Sequence, residues 1–361
     1  VYKSMATLNV TEAQRFVGIM TRYQKVFAPE DGAVGRTTML EHKIELIDGA
    51  KPVQARPFQY SEHHRQSIEK EIGKMLDRGW IVRDENSLWN SNLLLVKKKD
   101  SSEHRVVLDT RQIGKQIKPS LSPVPNMHHL VDNVGEHRNV FFKADMAHGF
   151  YQVPLAPESQ EITAFSTPFT KYGNRFKFTI LIPGLKFSSA VFQRLLENVL
   201  ADVLFKGVLL YIDDVLAHAD DNMGLMDLME KVFARLTAAN LQLKPSKSIF
   251  FAEQIEFLGF QLGSQGLMPC EKHVQTIREW PTPKNIRDLR SMLGFFSFYR
   301  RFTMDFATKA APLFELLKKN VDYRFTERHV KALNELKDAL CKKVVLTYPS
   351  RDLNHPMILH V

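Results

Sequence analysis

The sequence predicts an α+β fold. Two features carry that prediction: strand-like and helix-like apolar periods alternate up to about residue 265, and helical spacing dominates after Gly266. Through the middle of the chain the order is strand, helix, hairpin, helix, which packs helices on an antiparallel sheet. Composition supports a folded chain, since 44% hydrophobic and 25% charged residues are ordinary globular values. At 361 residues the chain exceeds one compact core, so several subdomains are expected. No apolar run reaches the ~18 residues of a bilayer span, so no membrane partner is expected. Cys270 and Cys341 cannot supply a disulfide framework or a four-thiolate zinc site, which points to a reducing compartment. The chain opens on Val1, so it is expected to be a piece of a longer product.

Residues 1–60 read as a lead-in with an amphipathic start and a stretch punctuated by Pro, Gly and Asp. Ser61 is placed to cap a helix whose apolar face is Ile68, Ile72, Met75 and Leu76, ending at Gly79. The period then changes: Leu93–Val96 and Val106–Leu108 form a hairpin around the basic tip Lys97-Lys98-Lys99-Asp100-Ser101-Ser102. Val140–Lys143 is a buried strand delivering Asp145, and Phe176, Phe178 and Ile180 alternate after a Gly173-Asn174 turn. Val191, Leu195, Val199 and Val203 share one helix face. Two apolar runs, Val208–Ile212 and Val215–His218, then flank Asp213-Asp214, a hairpin with both carboxylates at its tip. A helix through Leu225, Leu228, Val232 and Leu236 ends at Asn240. Farther on, Asn285 caps Ile286, Leu289, Leu293 and Phe296, and Thr326 caps Val330, Leu333, Leu336 and Leu340. Trp280-Pro281-Thr282-Pro283 marks a boundary because proline blocks helix continuation.

Residues 271–345 hold most of the formal charge of +9. A solvated helical face explains such a surplus, and so does a surface that follows a polyphosphate backbone. Adjacent aspartates inside apolar strands repel each other's ionisation unless a cation lies beside them. With Asp145 ending a neighbouring strand, three carboxylates can hold two magnesium ions about 3.5 to 4 Å apart, the arrangement that aligns an attacking hydroxyl with a leaving pyrophosphate.

Tyr211-Ile212-Asp213-Asp214 resembles the Tyr-X-Asp-Asp box of reverse transcriptases. Val140–Leu155, VFFKADMAHGFYQVPL, resembles the first palm motif of retrotransposon polymerases, and Gly184-Leu185-Lys186 through Phe192-Gln193-Arg194 resembles their second. Leu241–Lys247, Phe257-Leu258-Gly259-Phe260 and Trp280–Phe302 are similar to the motifs that follow in Ty3/gypsy-type elements, and Val34–Ile44 fits the segment before the polymerase. The chain resembles the reverse transcriptase region of a Ty3/gypsy-type LTR retrotransposon Pol polyprotein from about residue 20 to 361.

That resemblance implies a right-hand polymerase: an N-terminal lead-in over 1–60, fingers and palm over 61–265, a helical thumb over 266–325, and a connection with a truncated start of an RNase H-like domain over 326–361. It implies an RNA-directed DNA polymerase that joins dNTPs to a primer 3′-hydroxyl on an RNA or DNA template. Two Mg²⁺ ions are implied, with Mn²⁺ as a substitute, held by Asp145, Asp213, Asp214 and the Met146 carbonyl; the three aspartates are the implied catalytic triad. Lys98 and Arg105 would hold the triphosphate, Phe150 would exclude a ribose 2′-hydroxyl, and Pro183 and Gly184 would meet the incoming nucleotide. Phe257, Leu258 and Gly259 match the primer grip, and Lys247 lies near the position of a general acid. Arg111, Arg287 and Arg290 are candidate template and thumb contacts. Implied partners are the template–primer, dNTPs and the RNase H and integrase parts of the polyprotein, in cytoplasmic retrotransposon particles with the nucleus as the other location.

Three positions depart from the family pattern: Ile182-Pro183-Gly184 in place of Pro-Phe-Gly, Arg111-Gln112-Ile113-Gly114 in place of Arg-X-Leu-Asn, and His148, which reads as a packing or surface residue. The departures leave open an alternative: a decayed or host-adopted element that only binds nucleic acid or a protein.

Overall fold

The computed structural model describes residues 8–29, 32–97, 104–119, 124–135, 139–342 and 344–348. The chain packs as two units, Val1–Asn126 with Phe142–Ala217 and Met223–Phe250, and Met127–Phe141 with His218–Asn222 and Phe251–Val361. In chain order the elements begin with α1 (Val10–Arg22), α2 (Glu62–Asp77), β1 (Ile81–Arg83), β2 (Leu93–Lys97), β3 (His104–Leu108), α3 (Ile113–Gln116) and α4 (Met127–Asp132). They continue with β4 (Val140–Asp145), α5 (Pro157–Gln160), β5 (Phe165–Thr170), β6 (Gly173–Phe178), α6 (Ser188–Val199), β7 (Val208–Tyr211), β8 (Asp214–Ala219), α7 (Asn222–Ala238) and β9 (Ile249–Ala252). The remainder is β10 (Gln254–Phe257), β11 (Phe260–Gly263), β12 (Gly266–Pro269), α8 (Glu271–Glu279), α9 (Ile286–Phe298), α10 (Phe306–Glu315) and α11 (Glu327–Cys341).

In the first unit, α1 starts on a reciprocal cap. Asn9 Oδ1 accepts from Glu12 N and Glu12 Oε2 accepts from Asn9 N, both at 2.9 Å. Its apolar side buries Phe16 and Ile19, while Arg15 and Arg22 pair with Asp227 and Glu230 of α7. The expected cap of α2 is present, with Ser61 Oγ accepting from His64 N at 3.4 Å. A four-stranded sheet runs β7-β8-β4-β9. Phe142 of β4 is fully buried between Phe250 at 5.1 Å and Phe233 at 5.5 Å, and Phe27 meets Phe233 at 5.5 Å. Rings of this size dominate the apolar burial here, so the lead-in is part of this core. A second sheet runs β1-β6-β5, and β2 pairs with β3 from Leu93↔Leu108 to Lys97↔His104. The basic tip at 98–103, and with it Lys98, lies outside the described residues, as do residues 349–361 at the end of the expected RNase H-like start.

Two expectations shift. Val203 lies beyond the end of α6, and Ile180 beyond the end of β6, although both are buried. The carboxylate hairpin is offset by one residue: Tyr211 pairs with Asp214, so the two-residue turn is Ile212-Asp213 and Asp214 belongs to β8. Ile212 takes the left-handed region at φ 55° to close it.

The second unit carries the meander β10-β11-β12 and the helices from α8 onward. Asn285 caps α9 through Asp288 N at 2.9 Å, and Leu289, Met292, Leu293 and Phe296 form its buried face.

Candidate active site

β4 ends at Asp145, and β8 starts at Asp214, one residue after the turn. Met146 N donates to Asp213 O at 2.9 Å, which fixes the turn beside the end of β4. A β-branched residue at φ 55° is unfavourable on its own, by about 1–2 kcal/mol. The conformation is held from below by Gln193 of α6, whose Oε1 accepts from Ile212 N at 2.5 Å while its Nε2 donates to Glu197 at 2.9 Å. The bond to Glu197 orients the amide so that its oxygen faces the turn. Gln193 lies within the second palm motif, but its role depends on a contact across 19 residues that the pattern does not specify.

Asp145, Asp213 and Asp214 are thus gathered at one end of the sheet. The Asp145 and Asp214 carboxyls lie within hydrogen-bonding reach of each other. Burial pushes Asp214 up to about 6; the Lys143 ammonium, 3.3 Å away, opposes this, and Asp145 reinforces it. Loss of hydration also raises Asp213, with the Asp145 charge adding to it. Lys247 pairs with Asp145, and that bond raises the lysine further above its usual value. Lys143 escaped the sequence reading, although the signal was available: two residues before Asp145 on a strand, it must share that residue's face.

The donor chemistry suits a hard divalent cation, because the groups are carboxylate oxygens, although a cation would have to compete with the Lys247 and Lys143 ammoniums paired to Asp145 and Asp214. The expected three-carboxylate cage is not closed in this structure. Among the described residues no three acidic, His or Cys side chains converge closely enough to hold an ion.

The other expected residues fall in three places. Phe150, half-buried, rests edge-on against Phe192 at 5.6 Å, and a Cβ on Gly149 would lie 2.8 Å from the Phe192 ring, so glycine permits that packing. Arg105 is exposed on β3, and its charge, after burial, Arg78 and Lys244, helps depress the His148 pKa. His148 is exposed, with its ring beside Trp80 at 5.2 Å and stacked on Tyr151 at 6.0 Å. Gly184 sits at φ 88°, its carbonyl accepting from Thr110 Oγ1 at 2.5 Å, and Pro183 beside it is half-buried. Arg111 forks onto Asp109 at 2.9 and 2.8 Å, so an incoming phosphate must compete with that carboxylate.

The remaining ones lie in the second unit. Phe257 pairs with Phe260 across a turn in which Leu258 (φ 50°) and Gly259 (φ 85°) are both left-handed, the signature of a tight type I′ hairpin. Tyr299, after α9, donates its hydroxyl to Gly259 O at 3.0 Å. Arg287 and Arg290 are exposed on α9 and make no ion pair among the described residues, whereas Arg301 is committed to Asp132 at 2.6 Å.

The profile of the family described as reverse transcriptase (RNA-dependent DNA polymerase) matches residues 96–262. The chain is similar to the retrovirus-related Pol polyprotein from transposon 412 of Drosophila melanogaster, 30% identical over 336 residues, covering 92% of this chain and 27% of that protein. It is also similar to those from transposons opus and gypsy of the same fly, each 29% identical, covering 92% and 93% of this chain and 34% and 33% of theirs. The chain therefore spans about a third of these relatives or less. Among solved structures it is similar to foamy viral protease-reverse transcriptase in complex with dsDNA, with a TM-score of 0.83 at 25% identity, covering 96% of this chain and 71% of that one. A foamy viral protease-reverse transcriptase dRH in complex with dsDNA gives 0.85 at 24%, covering 96% and 60%. The fold is that of a right-hand polymerase.

Proposed function

We propose that the chain, given its match to the reverse transcriptase family and its similarity to gypsy-type Pol polyproteins, is itself an RNA-directed DNA polymerase. The reaction is in-line attack of a primer 3′-oxygen on the α-phosphorus of a dNTP, forming the O–P bond and releasing pyrophosphate. The observation that supports this most is the sheet end itself: the Met146–Asp213 hydrogen bond and the Tyr211↔Asp214 pairing gather three carboxylates beside two lysines.

The family works with divalent metal ions. Two Mg²⁺ held by Asp145 and Asp213, with Asp214 and the Met146 carbonyl beside them, would make the primer hydroxyl a better nucleophile and offset charge growing on the pyrophosphate. The chain's own residues do the rest. Arg105 and Lys98 would supply the cations that offset charge growing on the leaving pyrophosphate. Phe150, seated on Phe192, fills the space that a 2′-hydroxyl would enter. Gly184 admits the nucleotide close to the backbone because it carries no Cβ. Lys247, kept protonated by Asp145, holds a proton that the pyrophosphate can accept. The Leu258-Gly259 turn would grip the primer, and Arg287 and Arg290 would meet template–primer phosphates. The foamy viral complexes with dsDNA are consistent with such a duplex ligand.

Primer extension on an RNA template with dNTPs and Mg²⁺ tests the proposal. The parent chain should extend, and Asp213→Asn should lose on the order of a thousandfold in rate while binding template–primer as tightly as the parent. Extension by the variant at the parent rate would remove Asp213 from the chemistry. Binding without extension by the parent would identify a non-catalytic element.

A further inference from the structure

The stretch that carries Lys247 is tied to Asp145 by two glutamines, and those glutamines are tied to the lead-in. Residues 145–147 and 242–244 run side by side: Ala147 N donates to Gln242 O at 2.9 Å, Met146 bridges antiparallel to Leu243, and Lys244 N donates to Asp145 O at 2.8 Å. The Gln152 side chain, fully buried, is inserted between the two rails. Its Nε2 donates to Ala147 O at 2.7 Å and Gln242 O at 2.9 Å, and its Oε1 accepts from Gln242 N at 2.7 Å. Few other side chains can donate twice and accept once in that plane.

Gln242 carries the connection outward. Its Oε1 accepts from Gly35 N at 2.9 Å and its Nε2 donates to Lys25 O at 3.0 Å. The backbones pair as well, with Leu243 N to Val26 O at 2.7 Å, Ala28 N to Leu243 O at 2.9 Å and Thr37 N to Gln152 O at 2.8 Å. The approach is close enough that a Cβ on Gly35 would sit 2.7 Å from Asn240 Oδ1 and 2.9 Å from Asn240 O. Residues 25–37 fall outside the 96–262 match to the family profile.

Both ends of the Lys247–Asp145 pair hang from this ladder. Asp145 lies on one rail, and Lys247 sits in the short turn that follows Lys244 on the other, with Lys247 N donating to Lys244 O at 3.2 Å. We infer that Gln152 and Gln242 are positioning residues through which residues 25–28 and 35–37 set the spacing of Asp145 and Lys247. The inference rests on the polymerase reading for the roles of those two side chains, while the linkage of the lead-in to them does not.

The test uses the full chain as parent, Gln152→Leu, Gln242→Ala and Gln242→Glu, in single-turnover nucleotide incorporation on a preformed template–primer complex. Burst amplitude reports the fraction of competent protein, and rate reports alignment. Gln242→Ala should lower the rate at saturating dNTP about tenfold, as loss of a supporting hydrogen-bond partner does, while amplitude and dNTP half-saturation stay within about twofold. A merely structural role lowers amplitude and leaves rate unchanged, and that result overturns the inference. Should Gln152→Leu fail to fold, Gln242→Glu decides. It keeps the acceptor for Gly35 N and loses the donor to Lys25 O, so an intermediate rate loss of about threefold is expected and a parental rate overturns the inference. Mn²⁺ affinity, read by electron paramagnetic resonance without substrate, should weaken about tenfold in Gln242→Ala. A parent that never extends a primer defeats the polymerase reading alone. The Mn²⁺ comparison then still decides the inference, and equal affinities overturn it.

Discussion

Two hairpin turns in this chain solve the same geometric problem with different residues. The Ile212-Asp213 turn places a β-branched side chain at φ 55°, whereas the Leu258-Gly259 turn puts glycine at its more extreme position, φ 85°. Each is anchored by one side chain from a helical segment: the Gln193 amide accepts from Ile212 N, and the Tyr299 hydroxyl donates to Gly259 O. The first turn also lies among carboxylates, with Asp214 pushed up to about 6, while the second carries no titratable side chain. Where glycine serves, the backbone conformation is inexpensive and the anchor only orients the turn. Where it does not, the anchor must offset strain as well, so the first turn depends more heavily on its glutamine.

The largest effect should therefore come from Gln193→Leu. It leaves Ile212 N without its acceptor and Glu197 without its donor. Denaturant unfolding should show a loss of about 1–3 kcal/mol, the range for a buried polar group left unpaired. Extension by the folded protein should slow about tenfold, because Asp213 and Asp214 lose their fixed placement. Parental stability and rate would mean that the turn holds itself.

The second turn should respond less. Gly259→Ala forces a Cβ into φ 85° and to 3.2 Å from the Tyr299 hydroxyl, and a loss of about 1–2 kcal/mol in unfolding free energy is expected. Leu258→Gly, which removes a side chain from φ 50°, should by contrast be within about 1 kcal/mol of the parent, since relief of strain offsets the entropy of glycine. Equal losses from both substitutions would show that side-chain packing, not backbone conformation, governs this turn.

The contrast also explains what the sequence could and could not disclose. Helices with a capping residue and a regular apolar face, such as α2 from Ser61 and α9 from Asn285, were legible because cap and period are local. The hairpin around the aspartates was legible as a hairpin but not in register. Asp is a favoured turn residue and Ile is not, so propensity places the turn at Asp213-Asp214, whereas strand pairing and Gln193 place it at Ile212-Asp213. The Gln152–Gln242 ladder and the pairing of Lys247 with Asp145 escaped for a related reason. Their significance comes from contacts across 90 residues or more. The lead-in read as loosely organised because proline and glycine break its periodicity. Its order comes from the aromatic cluster around Phe233 and Phe250, which sequence spacing does not reveal.

The smallest effect expected at physiological salt concerns the helix that leads to Tyr299, the anchor of the second turn. Arg287 and Arg290 stand three residues apart on the exposed side of α9. Having no carboxylate partner among the described residues, they keep their charge available, unlike Arg301, which is spent on Asp132. If the second turn serves a primer, the cations of its supporting helix should meet the same polyanion and release counterions on doing so. Neutralising both as Arg287→Gln and Arg290→Gln should weaken template–primer binding only a few-fold. The slope of log affinity against log salt should become shallower by about 0.7 to 0.9 for each phosphate that is no longer neutralised. Single-nucleotide chemistry on the bound complex should stay near the parent rate, because the first turn is untouched, while products of continuous extension become shorter. A solvated helical face predicts instead that the salt slope is unchanged. That result, in a folded double variant, would detach the second turn from nucleic acid and leave the comparison between the two turns one of backbone geometry alone.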